Sequence, residues 1–269
     1  MDIQSSRRMR VTSERVGRRF NLVGRVALIV GGSKGIGFAI ANGFAEAGAD
    51  IAIVGRTLSS LEKARSELAL HGGRVHIIQA DMSDPIKVSR LIDRVCGKLG
   101  AIHILVNCAS VKPATRCDVL QRDQNVLDEL WGLNVKTYFD LSIDAAREMK
   151  RIGWGRIINV SSAIGLKARR GVGEYGITKA AELMMSRVFA LELGEFGITV
   201  NSLVPILTRT EFSVAALADD AAVQEVLDMQ VLGRVAEPDD LVGAALLLAS
   251  EAGSFITGTA LVVDGGASA

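Results

Sequence analysis

From Phe20 onward, short and continuously apolar runs rich in β-branched residues alternate with longer stretches whose apolar residues recur at helical spacing. The runs are Val26 to Val30, Ile51 to Val54, Val75 to Gln79, Ile104 to Asn107, Arg156 to Val160, Thr199 to Leu203 and Ala260 to Val263. The helical stretches are Ile36 to Ala47, Leu58 to Leu70, Ile86 to Leu99, Val126 to Arg151, Glu174 to Phe196 and Asp239 to Ser250. Strands that read as unbroken apolar runs are buried on both faces, as in a parallel sheet covered by helices. The pattern therefore predicts an α/β fold: a doubly wound parallel sheet of about seven strands with helices on both faces, forming one domain over residues 20–269. Ligands in such a sheet bind beyond the carboxyl ends of the strands.

Composition narrows the chemistry. Only Cys96, Cys108 and Cys117 occur, widely spaced and odd in number, which disfavours a disulfide framework or a zinc site and predicts a reducing, cytoplasmic setting. His71, His76 and His103 fit no ligand spacing, so no metal is expected. The net charge of +1 gives no field for nucleic acid, and the longest strongly apolar run, Leu241 to Ala249, is under half a membrane span. The balance is uneven, however. Residues 1–20 hold six arginines against two acids, net +4, leaving 25 basic against 28 acidic residues in the remainder, net −3. Residues 1–19 lack the apolar core of a secretory signal and are expected to be a mobile or subunit-covering basic extension.

The first strand runs straight into Gly31-Gly32-Ser33-Lys34-Gly35-Ile36-Gly37 and then an apolar helix. Glycines there let the backbone approach a pyrophosphate, while the helix start offers unpaired N–H groups and partial positive charge. Gly31, Ser33, Lys34, Gly35, Ile36 and Gly37 are thus candidate cofactor contacts. An acid that would bind a ribose 2′-hydroxyl is missing from the end of the second strand, which instead reads Gly55-Arg56. Arg56 can fork onto a 2′-phosphate and Lys34 can add charge to the same pocket, so NADP(H) is expected to be preferred with NAD(H) as the second choice. Asp81 and Met82 follow the third strand, placed to touch an adenine edge, and Asn107-Cys108-Ala109-Ser110 follows the fourth. Tyr175 precedes Lys179 by one helical turn, so the ammonium can favour the ionised phenol and bring it toward neutral acid–base work. Ser161-Ser162 ends the fifth strand, and Asn134 lies in the helix before it.

These motifs, in this order, resemble the short-chain dehydrogenase/reductase family in its compact, Rossmann-type branch, over about residue 20 to the C-terminus. The resemblance implies that Gly31 to Gly37, with Asn107, Ala109, Pro205 and Thr210, line the dinucleotide site. It also implies that Asn134, Ser162, Tyr175 and Lys179 form a catalytic tetrad; Ser162 is chosen over Ser161 by the family's thirteen-residue spacing to the tyrosine. Tyr175 would exchange a proton with the substrate oxygen, Ser162 would hold that oxygen, Lys179 would also hold the nicotinamide ribose, and Asn134 would position a water. Val263-Asp264-Gly265-Gly266 matches a motif used in subunit packing, and a homotetramer is implied. Val30, Cys108, Ser110 and Ile206 depart from the family pattern, and Ile206 is expected to reorganise the loop after Pro205.

The implied substrate is a small carbonyl or alcohol compound, such as a 3-oxoacyl thioester, keto-sugar or sugar acid. Its specificity is expected from residues 111–123, 163–173 and 206–235. Arginines and lysines in the first two segments, Lys112, Arg116, Arg122, Lys167, Arg169 and Arg170, suit either an anionic substrate or a solvated or intersubunit charge cluster. A cofactor-binding regulator or scaffold without turnover is the alternative reading.

Overall fold

The computed structural model describes residues 15–112, 116–123 and 125–269. Residues 15–20 are helical, and the remainder of the expected mobile extension lies outside the described residues. Seven parallel strands form one sheet: β1 Val26–Val30, β2 Asp50–Gly55, β3 Val75–Gln79, β4 Ile104–Asn107, β5 Gly155–Val160, β6 Ile198–Pro205 and β7 Ala260–Val263. Their spatial order is β3-β2-β1-β4-β5-β6-β7. The order reverses between β1 and β4, which pair from Ala27 with Ile104 to Val30 with Asn107 and open a crevice at their carboxyl ends.

Alternation along β1 explains the layers. Leu28 and Val30 pack with Leu91, Tyr138, Leu141 and Met185 on one face, while Ala27 and Ile29 pack with Ile40, Phe44, Leu61 and Leu248 on the other. Every β1 residue is buried, so the run had to be apolar throughout. The helices of the first face are α3 Pro85–Ser89, α4 Leu91–Leu99, α6 Tyr138–Ile152 and α7 Gly173–Leu193; those of the second are α1 Gly35–Glu46, α2 Leu58–Leu68 and α10 Val242–Ala249. Short helices α5 Asn125–Trp131, α8 Val214–Leu217 and α9 Asp220–Met229 lie in the connections.

Two expected helices are interrupted. The stretch from Ile86 begins at Pro85, capped by the Asp84 carboxylate, and stops at Arg90 before α4 starts. The stretch from Val126 contains a π-helical segment, Gly132–Thr137, between α5 and α6. Asn134 sits in that segment, an irregularity of the kind that recurs at working sites.

Candidate active site

The glycine turn is built by close approach. Gly31 has φ of +82°, and a Cβ there would lie 2.8 Å from the Ala109 nitrogen; a Cβ on Gly37 would lie 2.3 Å from the Gly31 carbonyl oxygen. Backbone therefore packs where side chains cannot, and α1 starts immediately after. Its N-cap, Lys34, makes no side-chain capping bond, so the cap does not compete with an anion for the N–H groups at the helix start. The cradle fits a pyrophosphate. Val30 is fully buried, and the turn is tied to its neighbour through the backbone, Gly31 N donating to Val54 O at 2.9 Å. Across the turn stands Thr210, 3.0 Å from where a Gly35 Cβ would be. Lys34 Nζ meets Glu211 Oε2 at 2.6 Å, so its charge is directed to that carboxylate and fastens residues 210–211 onto the glycine turn.

At the neighbouring strand ends, Ser33 Oγ stands 2.9 Å from a Gly55 Cβ position, so a side chain there would displace the serine hydroxyl. Arg56 is exposed beyond β2. Hydrogen bonds from the Ser83 backbone and hydroxyl, aided by Arg56, hold Asp81 below the usual carboxylate range. Met82 is buried, its carbonyl accepting Thr137 Oγ1 at 2.9 Å. The Asn107 side chain is fully buried and bonded within the protein. The strand's alternation turns it toward α6 and α7, where Nδ2 donates to Asn159 Oδ1 at 2.8 Å and the chain continues through Ser186 to Ser202. Ala109 faces Gly31 and its carbonyl accepts the Tyr138 hydroxyl at 2.8 Å. Pro205 ends β6, and no described residue other than glycine has positive φ, so the loop through Ile206 turns without left-handed backbone.

The two serines after β5 take different roles. Ser161 is buried and donates to the Lys179 carbonyl at 2.9 Å, whereas Ser162 is half-buried and caps a short turn at Ala163–Gly165. The Ser162 hydroxyl accepts from Ile164 N at 3.3 Å. Tyr175 and Lys179 share the buried face of α7, with Lys179 Nζ 5.5 Å from the Tyr175 ring centroid. Asn134 is fully engaged: Oδ1 accepts from Ser110 Oγ (3.1 Å) and Val111 N (3.0 Å), and Nδ2 donates to Val111 O (3.0 Å) and Thr178 Oγ1 (3.1 Å). With all four bonding positions of its amide used, the side chain clamps the loop after β4 to α7 and has none left for a water.

One residue of this cluster has no precedent in the motif reading. Glu182, fully buried, accepts Lys179 Nζ at 2.8 and 3.1 Å. The i,i+3 spacing from Lys179 was the available signal, but an acid on an apolar helix stretch reads equally as a surface position. Burial pushes Glu182 up to about 7 against the pull of Lys179. Burial likewise works against the Lys179 ammonium, yet Glu182 and Tyr175 leave it above its ordinary value. The phenol of Tyr175 is raised by burial; Lys179 lowers it, Glu182 raises it and a hydrogen bond from Ser110 lowers it, with a net upward shift. The expected approach of the phenol toward neutrality is thus opposed, because desolvation and a second charge offset the lysine. Cys108, beside this group, is pushed up to about 12 by burial, which keeps its thiol protonated.

The segments beside the crevice are bound together by ions. Arg122 Nε meets Glu174 Oε1 at 2.5 Å, and Arg169 and Arg116 meet Glu225 of α9 at 2.7 and 3.5 Å. These arginines therefore carry partners within the chain. The C-terminal motif does the same for the end of the α9 segment: Gly265 O accepts Val231 N at 2.9 Å and Leu232 N at 3.1 Å. Among the described residues no group of acids, histidines and cysteines is arranged to hold a metal, and no helix is long and apolar enough to cross a membrane.

Comparison with known proteins agrees with this geometry. A family model described as enoyl-(acyl carrier protein) reductase matches residues 30–268. The chain is 32% identical over 247 residues to the gluconate 5-dehydrogenase of Gluconobacter oxydans, covering 92% of this chain and 96% of that protein. It is 34% identical over 250 residues to the 3-oxoacyl-[acyl-carrier-protein] reductase of Chlamydia muridarum, covering 91% and 98%. A gluconate 5-dehydrogenase from Burkholderia cenocepacia, solved with NADP and tartrate, superposes with a TM-score of 0.88 at 33% identity, over 94% of this chain and 98% of that one. With the fold, the glycine cradle and the Tyr175–Lys179 pair in place, the chain belongs to the short-chain dehydrogenase/reductase family of oxidoreductases.

Proposed function

We propose that this chain is an NADP(H)-preferring oxidoreductase that interconverts a carbonyl and a secondary alcohol, with a keto-sugar, sugar acid or 3-oxoacyl thioester as substrate. The observation that carries this reading is the shared buried face of α7, where Lys179 Nζ lies 5.5 Å from the Tyr175 ring centroid and Cys108, which follows β4, faces both. Gly31 to Gly37 and the start of α1 would hold the pyrophosphate, Arg56 the 2′-phosphate, Asp81 and Met82 the adenine, and Ala109, Pro205 and Thr210 the nicotinamide end. The chemistry the dinucleotide supplies when bound is hydride transfer to and from the carbon. Tyr175 gives its proton to the developing alkoxide, Ser162 donates a hydrogen bond to the same oxygen, and Lys179 holds the ribose and the phenol's charge. Asn134 acts through the loop it clamps. The NADP-bound relatives and the absence of an acid after β2 support the cofactor preference.

Residues 20–269 are read as the catalytic unit, carrying a basic extension, in a cytoplasmic homotetramer. Three unpaired thiols and the exposed apolar residues of α7 support this. NADPH consumption across 3-oxoacyl thioesters, keto-sugars, sugar acids and cyclic ketones tests the reading. Tyr175→Phe is expected to lower kcat by about 10²–10⁴-fold with NADPH affinity retained. Turnover that survives this substitution overturns the assignment. NADPH binding with no turnover on any substrate would favour a regulator instead.

A further inference from the structure

Lys179 has three N–H donors, and all three have partners inside the protein: the two Glu182 oxygens at 2.8 and 3.1 Å and the Val160 carbonyl at 3.2 Å. Neither charge reaches solvent, since Lys179 is 1% and Glu182 0% exposed. The ammonium is therefore neutralised by a neighbour on its own helix before any phenolate or ribose claims it. Among the described residues no second cation faces the pair. Glu182 is faced by Lys179 and Tyr175 on α7, the Ser161 hydroxyl from the end of β5, the Tyr138 phenol of α6 and the Cys108 thiol after β4. Tyr175 is faced by the same lysine, glutamate, phenol and thiol and by the Ser110 hydroxyl.

We propose that Glu182 is a positioning residue that holds Lys179 and shares its charge, so that Tyr175 stays a protonated donor across the neutral range and the site is set for carbonyl reduction. Alcohol oxidation needs the phenolate and is confined to more alkaline pH. The equilibrium is untouched; what Glu182 sets is the pH at which each direction runs. This inference rests on Tyr175 being the acid–base group of the proposed function. The carboxylate raises the phenol for the same reason that Lys179 lowers it, because both charges lie in the same low-dielectric space.

The chain has only two tyrosines, and burial holds Tyr138 well above the ordinary phenol value, so near-ultraviolet tyrosinate absorbance reports Tyr175 almost alone. In the cofactor-free protein the Tyr175 transition is expected above the ordinary phenol value and absent from Tyr175→Phe. Glu182→Gln is expected to lower its midpoint by about one pH unit and to shift the alkaline-requiring limb of alcohol oxidation down by the same amount. Glu182→Asp, which keeps the charge, restores both toward the parent. A folded Glu182→Gln protein with an unmoved midpoint overturns the inference and leaves Glu182 a structural ion-pair partner. If that variant does not fold, Glu182→Leu serves as a second variant that removes the charge, and a folded protein with a midpoint identical to the parent's overturns the inference. Turnover by Tyr175→Phe, by contrast, removes the proposed function itself.

Discussion

Gly37 leaves no space for a methyl group, because its Cβ position is 2.3 Å from a carbonyl that cannot move without opening the turn. Gly37→Ala is expected to cost about 1–3 kcal/mol of stability and to weaken NADPH binding with it. Thermal unfolding and a fluorescence titration with NADPH read the two effects, and an unchanged binding constant would place the pyrophosphate elsewhere. The same scale shows what spacing alone can reach. The choice of Ser162 over Ser161 followed from its distance in sequence to Tyr175, and the structure separates them by the bond Ser161 makes to the Lys179 carbonyl. Glu182 and the Lys34–Glu211 pair escaped that reading for one reason. A motif names which residues recur, whereas the partner of a charge depends on which side chain the fold brings within a few ångströms of it.

At the level of elements, the apolar runs located every strand because burial on both faces leaves a continuous signature. Helix continuity was less legible. The break at Arg90 and the π-helical stretch at Gly132–Thr137 shift the hydrogen-bond register without changing which residues are apolar, so periodicity passes over them. The segment from α8 to α10 is held at its far end by Arg234, whose guanidinium meets Asp240 at 2.6 and 2.8 Å. The Arg234 hydrogen bonds hold the Asp240 carboxyl down at about 2. Since the folded value lies below the ordinary one of 3.8, the pair's stabilisation is present above that value and is lost as pH falls through about 2. Both groups lie at the surface, where solvent screens the pair, so the effect is small. Asp240→Asn is therefore expected to be less stable than the parent at neutral pH and equal to it near the folded value, as denaturant melts at both pH values would show. A difference independent of pH would locate the loss in the Glu237–Asp240 backbone cap instead.

For the whole molecule, the same helix that buries the catalytic face turns a second face outward. Ile177, Met184, Val188 and Leu191 recur at helical spacing and are 54%, 55%, 40% and 87% exposed. Beside them Phe139 of α6, also exposed, packs on Phe189 at 5.2 Å between ring centroids. A contiguous apolar stripe across two helices is larger than scattered surface residues explain, and an identical stripe on a second copy is its simplest complement under two-fold symmetry. Such an interface would press α7 from the side opposite Tyr175 and Lys179, so assembly and catalytic geometry become linked through one rigid element. Replacing Met184 and Leu191 together by lysine puts two charges into that contact while leaving the buried face untouched. The expected result is a fall in solution mass below that of a tetramer, measured by light scattering, together with a lower kcat and little change in the isolated fold by circular dichroism. An unchanged mass would assign the stripe to some other contact, and a lower mass with full activity would show that α7 holds its geometry without a partner.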